Sequence, residues 1–100
     1  NNLMIKKIIK FSATWCSPCR FFHSTFVRVS QYDEFKDIEF KEVDVESDEG
    51  VELAEKYHIL SLPTTILFDD KDNVKYTLMG NISEKSFVDV INSAKELTEE

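Results

Sequence analysis

The sequence predicts an α/β domain: a four-stranded mixed sheet flanked by three helices, in the order β-α-β-α-β-β-α. Three observations carry that prediction. Two short runs rich in β-branched residues, Met4 to Phe11 and Ile38 to Val45, enclose a segment whose apolar residues recur at helical spacing, the pattern of a βαβ unit. Two later runs, Thr64 to Phe68 and Val74 to Met79, are separated only by the polar cluster Asp69-Asp70-Lys71-Asp72-Asn73, which marks an antiparallel hairpin. The only two cysteines and the only tryptophan crowd the junction of the first strand and first helix, in Thr14-Trp15-Cys16-Ser17-Pro18-Cys19-Arg20. One hundred residues make a single domain, residues 1–100, long enough for a core without structural staples.

Asn1-Asn2-Leu3 carries no pattern, and the first strand reads from Ile5, Ile8, Ile9 and Phe11 as buried and parallel; its lysines at 6, 7 and 10 are unusual there. The first helix is expected from Ser17 to about Phe35, with Phe22, Phe26 and Val29 facing the core and Phe21 and Tyr32 widening that face. His23 sits four residues after Cys19 and reads as a partly exposed helix histidine, with a ligand or proton carrier as the alternative. After the second strand the run Glu46-Ser47-Asp48-Glu49-Gly50 reads as a solvated loop whose charge suits a helix N-terminus. A short second helix follows, marked by Val51, Leu53, Ala54 and Tyr57. Ser83 is placed to cap a last helix carrying Phe87, Val90, Ile91, Ala94 and Leu97, and the acidic tail Glu96 to Glu100 is expected to be exposed. Because a helix lies between the first two strands, they should be parallel with a right-handed crossover.

The cysteine pair carries the chemistry. Only a thiolate attacks a disulfide, so an exchange site needs one thiol with a depressed pKa and a second that can resolve the mixed disulfide. Cys16 falls at the helix N-cap, where unpaired N–H groups and the dipole favour negative charge, and is the expected nucleophile. Cys19, almost one turn on along the same face, is the expected resolving thiol. Pro18 suits the first turn, where its missing N–H costs nothing, and Arg20 adds positive charge nearby.

Composition bounds the partners. A net charge of −7 argues against nucleic acid and anionic membranes, while 42% apolar and 31% charged residues describe an ordinary globular chain. No run approaches a membrane span and no basic, apolar, small-residue leader opens the sequence. Two cysteines this close would close a tiny loop and stabilise little, so a structural disulfide is disfavoured and a reducing, cytoplasmic setting is the expectation. A monomer is expected.

From Phe11 to Arg20 the chain resembles the thioredoxin active-site segment; Val43-Asp44-Val45 resembles the end of the strand that follows it there. Glu55-Lys56-Tyr57-His58-Ile59 with Ser61-Leu62-Pro63-Thr64 is similar to the approach to that family's cis-proline, and Gly80 stands where a family glycine follows the last strand. The resemblance spans nearly the whole chain. It implies a thioredoxin-like fold and a protein-disulfide reductase that binds no cofactor and draws electrons from NADPH through a thioredoxin reductase. It further implies that Pro63 faces the disulfide and that Trp15, Ser17, Pro18, Leu62, Pro63 and Gly80 border the docking groove for disulfide-containing proteins. Gly80 has a second reading, as a residue that permits an unusual backbone angle.

Four departures stand out. The chain opens almost at the strand before the motif, so the family's first strand and helix are expected to be missing and a sheet edge exposed. Ser17 replaces the glycine usual between the cysteines, which bears on the reduction potential. Lys10 stands six residues before Cys16, where the family has a buried aspartate, and Glu42 stands where the family often has a lysine. The charges read as exchanged: a Lys10–Glu42 pair beneath the site, with Glu42 or neutral Lys10 handling the Cys19 proton and charged Lys10 favouring thiolate. The opposing reading has Lys10 snorkelling to solvent.

Two other functions compete. The short architecture permits a glutaredoxin-like, glutathione-dependent oxidoreductase, although Trp15 and the Ser-Pro pair speak against it. Cys16, Cys19, His23 and His58 supply four ligands that would suit tetrahedral zinc, although a helix-borne Cys-x-x-Cys-x-x-x-His is not a usual zinc spacing.

Overall fold

The computed structural model describes residues 4–97. Strand β1 (Ile5–Ser12) is followed by helix α1 (Ser17–Ser30), a 3-10 turn (Asp33–Phe35), β2 (Glu39–Asp44), α2 (Asp48–Lys56), the hairpin β3 (Thr64–Asp69) and β4 (Val74–Met79), and α3 (Glu84–Leu97). The sheet order is β2-β1-β3-β4, with β1 and β2 parallel and the other neighbours antiparallel. The expected order of elements, mixed sheet and hairpin are therefore present. Of the acidic tail, residues 96 and 97 close α3 and the remainder lies outside the described residues, as do the first three residues.

The first helix is shorter than its apolar spacing suggests. It stops at Ser30, with the Gln31 N–H donating back to Arg28 O and the Tyr32 N–H to Val29 O, and Phe35 reaches the core from the separate 3-10 turn. Periodicity could not separate the two, because Phe35 is fully buried from either conformation that keeps it facing the sheet.

Each face of the sheet has its own core. Ile5, Ile8 and Leu67 pack under α1 and α3 with Phe22, Phe26, Val29, Phe87, Ile91 and Ala94. Phe22 and Phe87 meet with ring centres 5.4 Å apart, and each such buried side chain contributes roughly 1.5–3 kcal/mol. On the opposite face Ile9, Phe11, Val43, Ile66 and Phe68 pack against Leu53, Tyr57 and Ile59. The alternation of a strand thus sends Ile9 and Phe11 toward α2 and leaves Ile8 and Lys10 toward α1.

The helix ends are chemically specified. Ser47 caps α2 by accepting the Gly50 amide at 2.9 Å, and a side-chain carbon at Gly50 would run into the Asp44 carbonyl. His58 adopts φ 55° and closes α2, with its N–H on Glu55 O and the Ile59 N–H on Ala54 O. Ser83 caps α3 as expected, accepting from Ser86 N at 3.1 Å.

Candidate active site

Everything that could do chemistry converges where β1 ends and α1 begins. Cys16 is the N-cap of α1, extended in backbone (φ −93°, ψ 108°), and its sulfur accepts the Cys19 amide at 3.2 Å. The cap that is usually an oxygen is here a sulfur, and the donor that satisfies it is one of the orphan amides whose partial charge stabilises a thiolate. The two sulfurs are joined as a disulfide with Cα atoms 5.3 Å apart. Both cysteines are nearly buried, and Ala13, Val45 and Leu62 pack around them. Arg20 binds the Thr14 carbonyl and the Ser17 hydroxyl, tying the motif's loop to the helix.

The groove beside Cys16 encloses about 570 Å³ and is lined by Trp15, Ser17, Pro18 and Leu62, four of the residues expected there. Pro63, whose bond from Leu62 is cis, is buried. Gly80 does not line the groove; it has φ +89° and donates to the Pro63 carbonyl at 2.8 Å, so its place is to hold the proline loop. Sequence reasoning missed the remaining wall, Val45, Ala54, Ile59, Leu60 and Ser61. Leu60 is 96% exposed, and its signal was an apolar side chain in the short loop that leads to Pro63. Also missed was Glu46, assigned to a solvated loop, whose carboxylate accepts the Trp15 indole N–H at 2.9 Å and fixes the ring over the groove.

Beneath the disulfide lies the exchanged charge pair. Lys10 and Glu42 are direct neighbours in the β1–β2 register, and Lys10 Nζ stands 2.7 Å from Glu42 Oε2. Lys10 is 1% exposed, so it does not snorkel; it donates to the Cys19 carbonyl at 3.0 Å and sits over the Phe22 and Phe26 rings. A buried ammonium is tolerable only when paired and hydrogen-bonded, and here it has both. Glu42 also meets His23, Nδ1 to Oε2 at 3.1 Å. Burial pushes the Glu42 carboxyl up, but the hydrogen bonds from Lys10 and His23 outweigh it and hold the group below the usual glutamate value.

The four residues considered for zinc do not come together. His58 ends α2 with its backbone engaged there and His23 faces Glu42, and among the described residues no three Cys, His, Asp or Glu side chains form a metal-sized cluster. No helix among the described residues is long and apolar enough to cross a membrane.

The family model described as thioredoxin matches residues 2–93. A thioredoxin of Aspergillus fumigatus is 38% identical over 74 residues, covering 74% of this chain and 66% of that protein. One of Mycoplasma genitalium is 33% identical over 86 residues, covering 86% and 79% respectively. Among solved structures, the thioredoxin of Malassezia sympodialis superposes with a TM-score of 0.77 at 27% identity, covering 89% of this chain and 74% of that one. That of Fasciola hepatica also gives 0.77 at 27% identity, covering 92% and 84%.

Proposed function

The chain belongs to the thioredoxin family, and from that premise we propose that it is a protein-disulfide reductase acting by dithiol–disulfide exchange. The observation that carries the proposal is the Cys16–Cys19 pair at the mouth of an apolar groove, with the Cys16 sulfur capping α1. In the reduced protein the Cys16 thiolate attacks one sulfur of a target disulfide. A Cys16–target S–S bond forms, the target S–S bond breaks, and the departing thiolate takes a proton from solvent. Cys19 then gives up its proton and attacks Cys16 Sγ; the second target thiol leaves and two electrons have passed to the target.

Glu42 is the proton acceptor in this scheme and Lys10 favours the thiolate, because a positive charge below the pair stabilises the reduced form over the neutral disulfide. Trp15, Ser17, Pro18 and Leu62 hold the target's backbone and side chains, while Pro63 and Gly80 fix the loop that presents Leu62. The protein works as a monomer in a reducing compartment, the cytoplasm. A thioredoxin reductase using NADPH returns the electrons, and no cofactor is bound. The two cysteines and Trp15 support this assignment.

Two linked assays test it: the equilibrium potential of the Cys16–Cys19 pair in thiol buffers, and turnover of a protein disulfide with NADPH plus a thioredoxin reductase or with glutathione. A potential near −270 mV, the rough value for thioredoxin, and dependence on the reductase are expected. A potential at or above about −200 mV, with turnover driven by glutathione alone, would move the assignment to a glutaredoxin-like enzyme.

A further inference from the structure

We propose that His23 is a positioning residue for the resolving step, setting through Glu42 how readily the Cys19 proton is accepted. The inference rests on the reading above, in which Cys19 is the resolving thiol. Its basis is a continuous chain of contacts from solvent to the site. His23 is 56% exposed and touches Glu42 Oε2, and the same oxygen receives Lys10, which in turn binds the Cys19 carbonyl. An open depression of about 120 Å³ is lined by Cys19, Lys10, Glu42 and His23, so the four residues border one patch of solvent.

The charges that face this carboxylate are few. Lys10 comes from β1, and Cys19, Arg20 and His23 come from α1. Arg20 is spent on the Thr14 carbonyl and Ser17 hydroxyl. Lys41, next to Glu42 on β2, points to the other face and binds Glu49 of α2. His23 is therefore the partner of Glu42 that stands between the carboxylate and solvent.

The consequence follows from counting cations on one oxygen. With His23 neutral, Glu42 answers to Lys10 alone and accepts the proton that Cys19 releases when it attacks Cys16 Sγ. With His23 charged, the carboxylate lies between two cations, its basicity falls, and Cys19 resolves the mixed disulfide more slowly.

The test is a pH-jump experiment on the full chain. Reduced protein is mixed at mildly acid pH with an aromatic disulfide whose released thiol is coloured, which loads Cys16 as a mixed disulfide. A jump in pH then starts attack by Cys19, and release of the second coloured thiol reports resolution. Beyond the rise that thiol ionisation gives every variant, the charge at position 23 should set the rate at any one final pH, with resolution roughly three- to tenfold faster where that charge is absent. His23→Gln keeps a donor but cannot charge, so it should be the fast variant. His23→Lys is permanently charged and should be the slow one. Because the side chain is half-exposed, both variants should fold. Equal rates in the two variants at the same final pH would overturn the proposal while leaving the disulfide reductase intact. Release of the first coloured thiol without the second, in every variant, would remove Cys19 as the resolving thiol and this inference with it.

Discussion

Two charged side chains are each 1% exposed, at opposite ends of the sheet, and they are satisfied in opposite ways. Asp69 closes β3 and takes its partners locally: the Lys71 and Asn73 amides at 2.8 and 2.9 Å, and the Asn73 side chain at 3.1 Å. Lys10 lies inside β1 and draws its partners from afar, Cys19 nine residues away and Glu42 thirty-two. The local cluster builds a turn. The non-local one puts a cation under a redox-active pair, where no turn or cap requires it. Buried charge at the Asp69 end is thus a folding device, and at the Lys10 end it belongs, in the function proposed above, to the chemistry.

If that contrast is right, substitutions at the two ends separate stability from activity. The largest effect is expected from Asp69→Ala, which strips three N–H donors of their acceptor and should lower the melting temperature by about 10 °C. Disulfide exchange per folded molecule and the reduction potential should not change; a shifted potential would break the contrast. Glu42→Gln comes next, and should slow resolution of a mixed disulfide by roughly tenfold in a stopped-flow assay, since the amide cannot accept the Cys19 proton. Lys10→Met should lower the potential by roughly 30 mV, because thiolate loses its cation, and should also cost stability, because Glu42 loses its ion-pair partner and the Cys19 carbonyl its donor. A potential unmoved in Lys10→Met would reduce Lys10 to packing.

The smallest expected effect is in acid. Burial raises the Asp69 carboxyl, but the Asn73 and Lys71 amides outweigh it and hold its pKa below the usual aspartate value. A depressed folded pKa means that its stabilising contribution is intact above about pH 4, the unfolded value, and is lost as pH falls through the folded one. Denaturant midpoints measured from pH 5 downward should fall less steeply in Asp69→Asn than in the wild type. Parallel slopes would show that the carboxylate is not the group being titrated.

The same contrast explains what the sequence disclosed. The Asp69–Asn73 cluster was legible because every partner lies within a few positions, as were the Cys16 cap, Pro18 and Ser83, whose roles are local. Lys10 and Glu42 were visible as a pair only through resemblance, and their contact depends on the β1–β2 register, which local pattern cannot set. Glu46 and Leu60 were invisible as site residues because each belongs to a different loop: Glu46 meets the site only through the Trp15 indole N–H, and Leu60 lines the groove only once the fold brings its loop beside Cys16. The end of α1 was misplaced because a 3-10 turn can present Phe35 to the same core as a longer helix would.

The central claim is that Cys16 attacks and Cys19 resolves, and trapping tests it most directly. Cys19→Ser, incubated reduced with a disulfide-containing protein, should accumulate a mixed disulfide at Cys16 that a reductant releases, whereas Cys16→Ser should accumulate none. Capture through Cys19 in the Cys16→Ser protein, or no capture in either, would contradict the account.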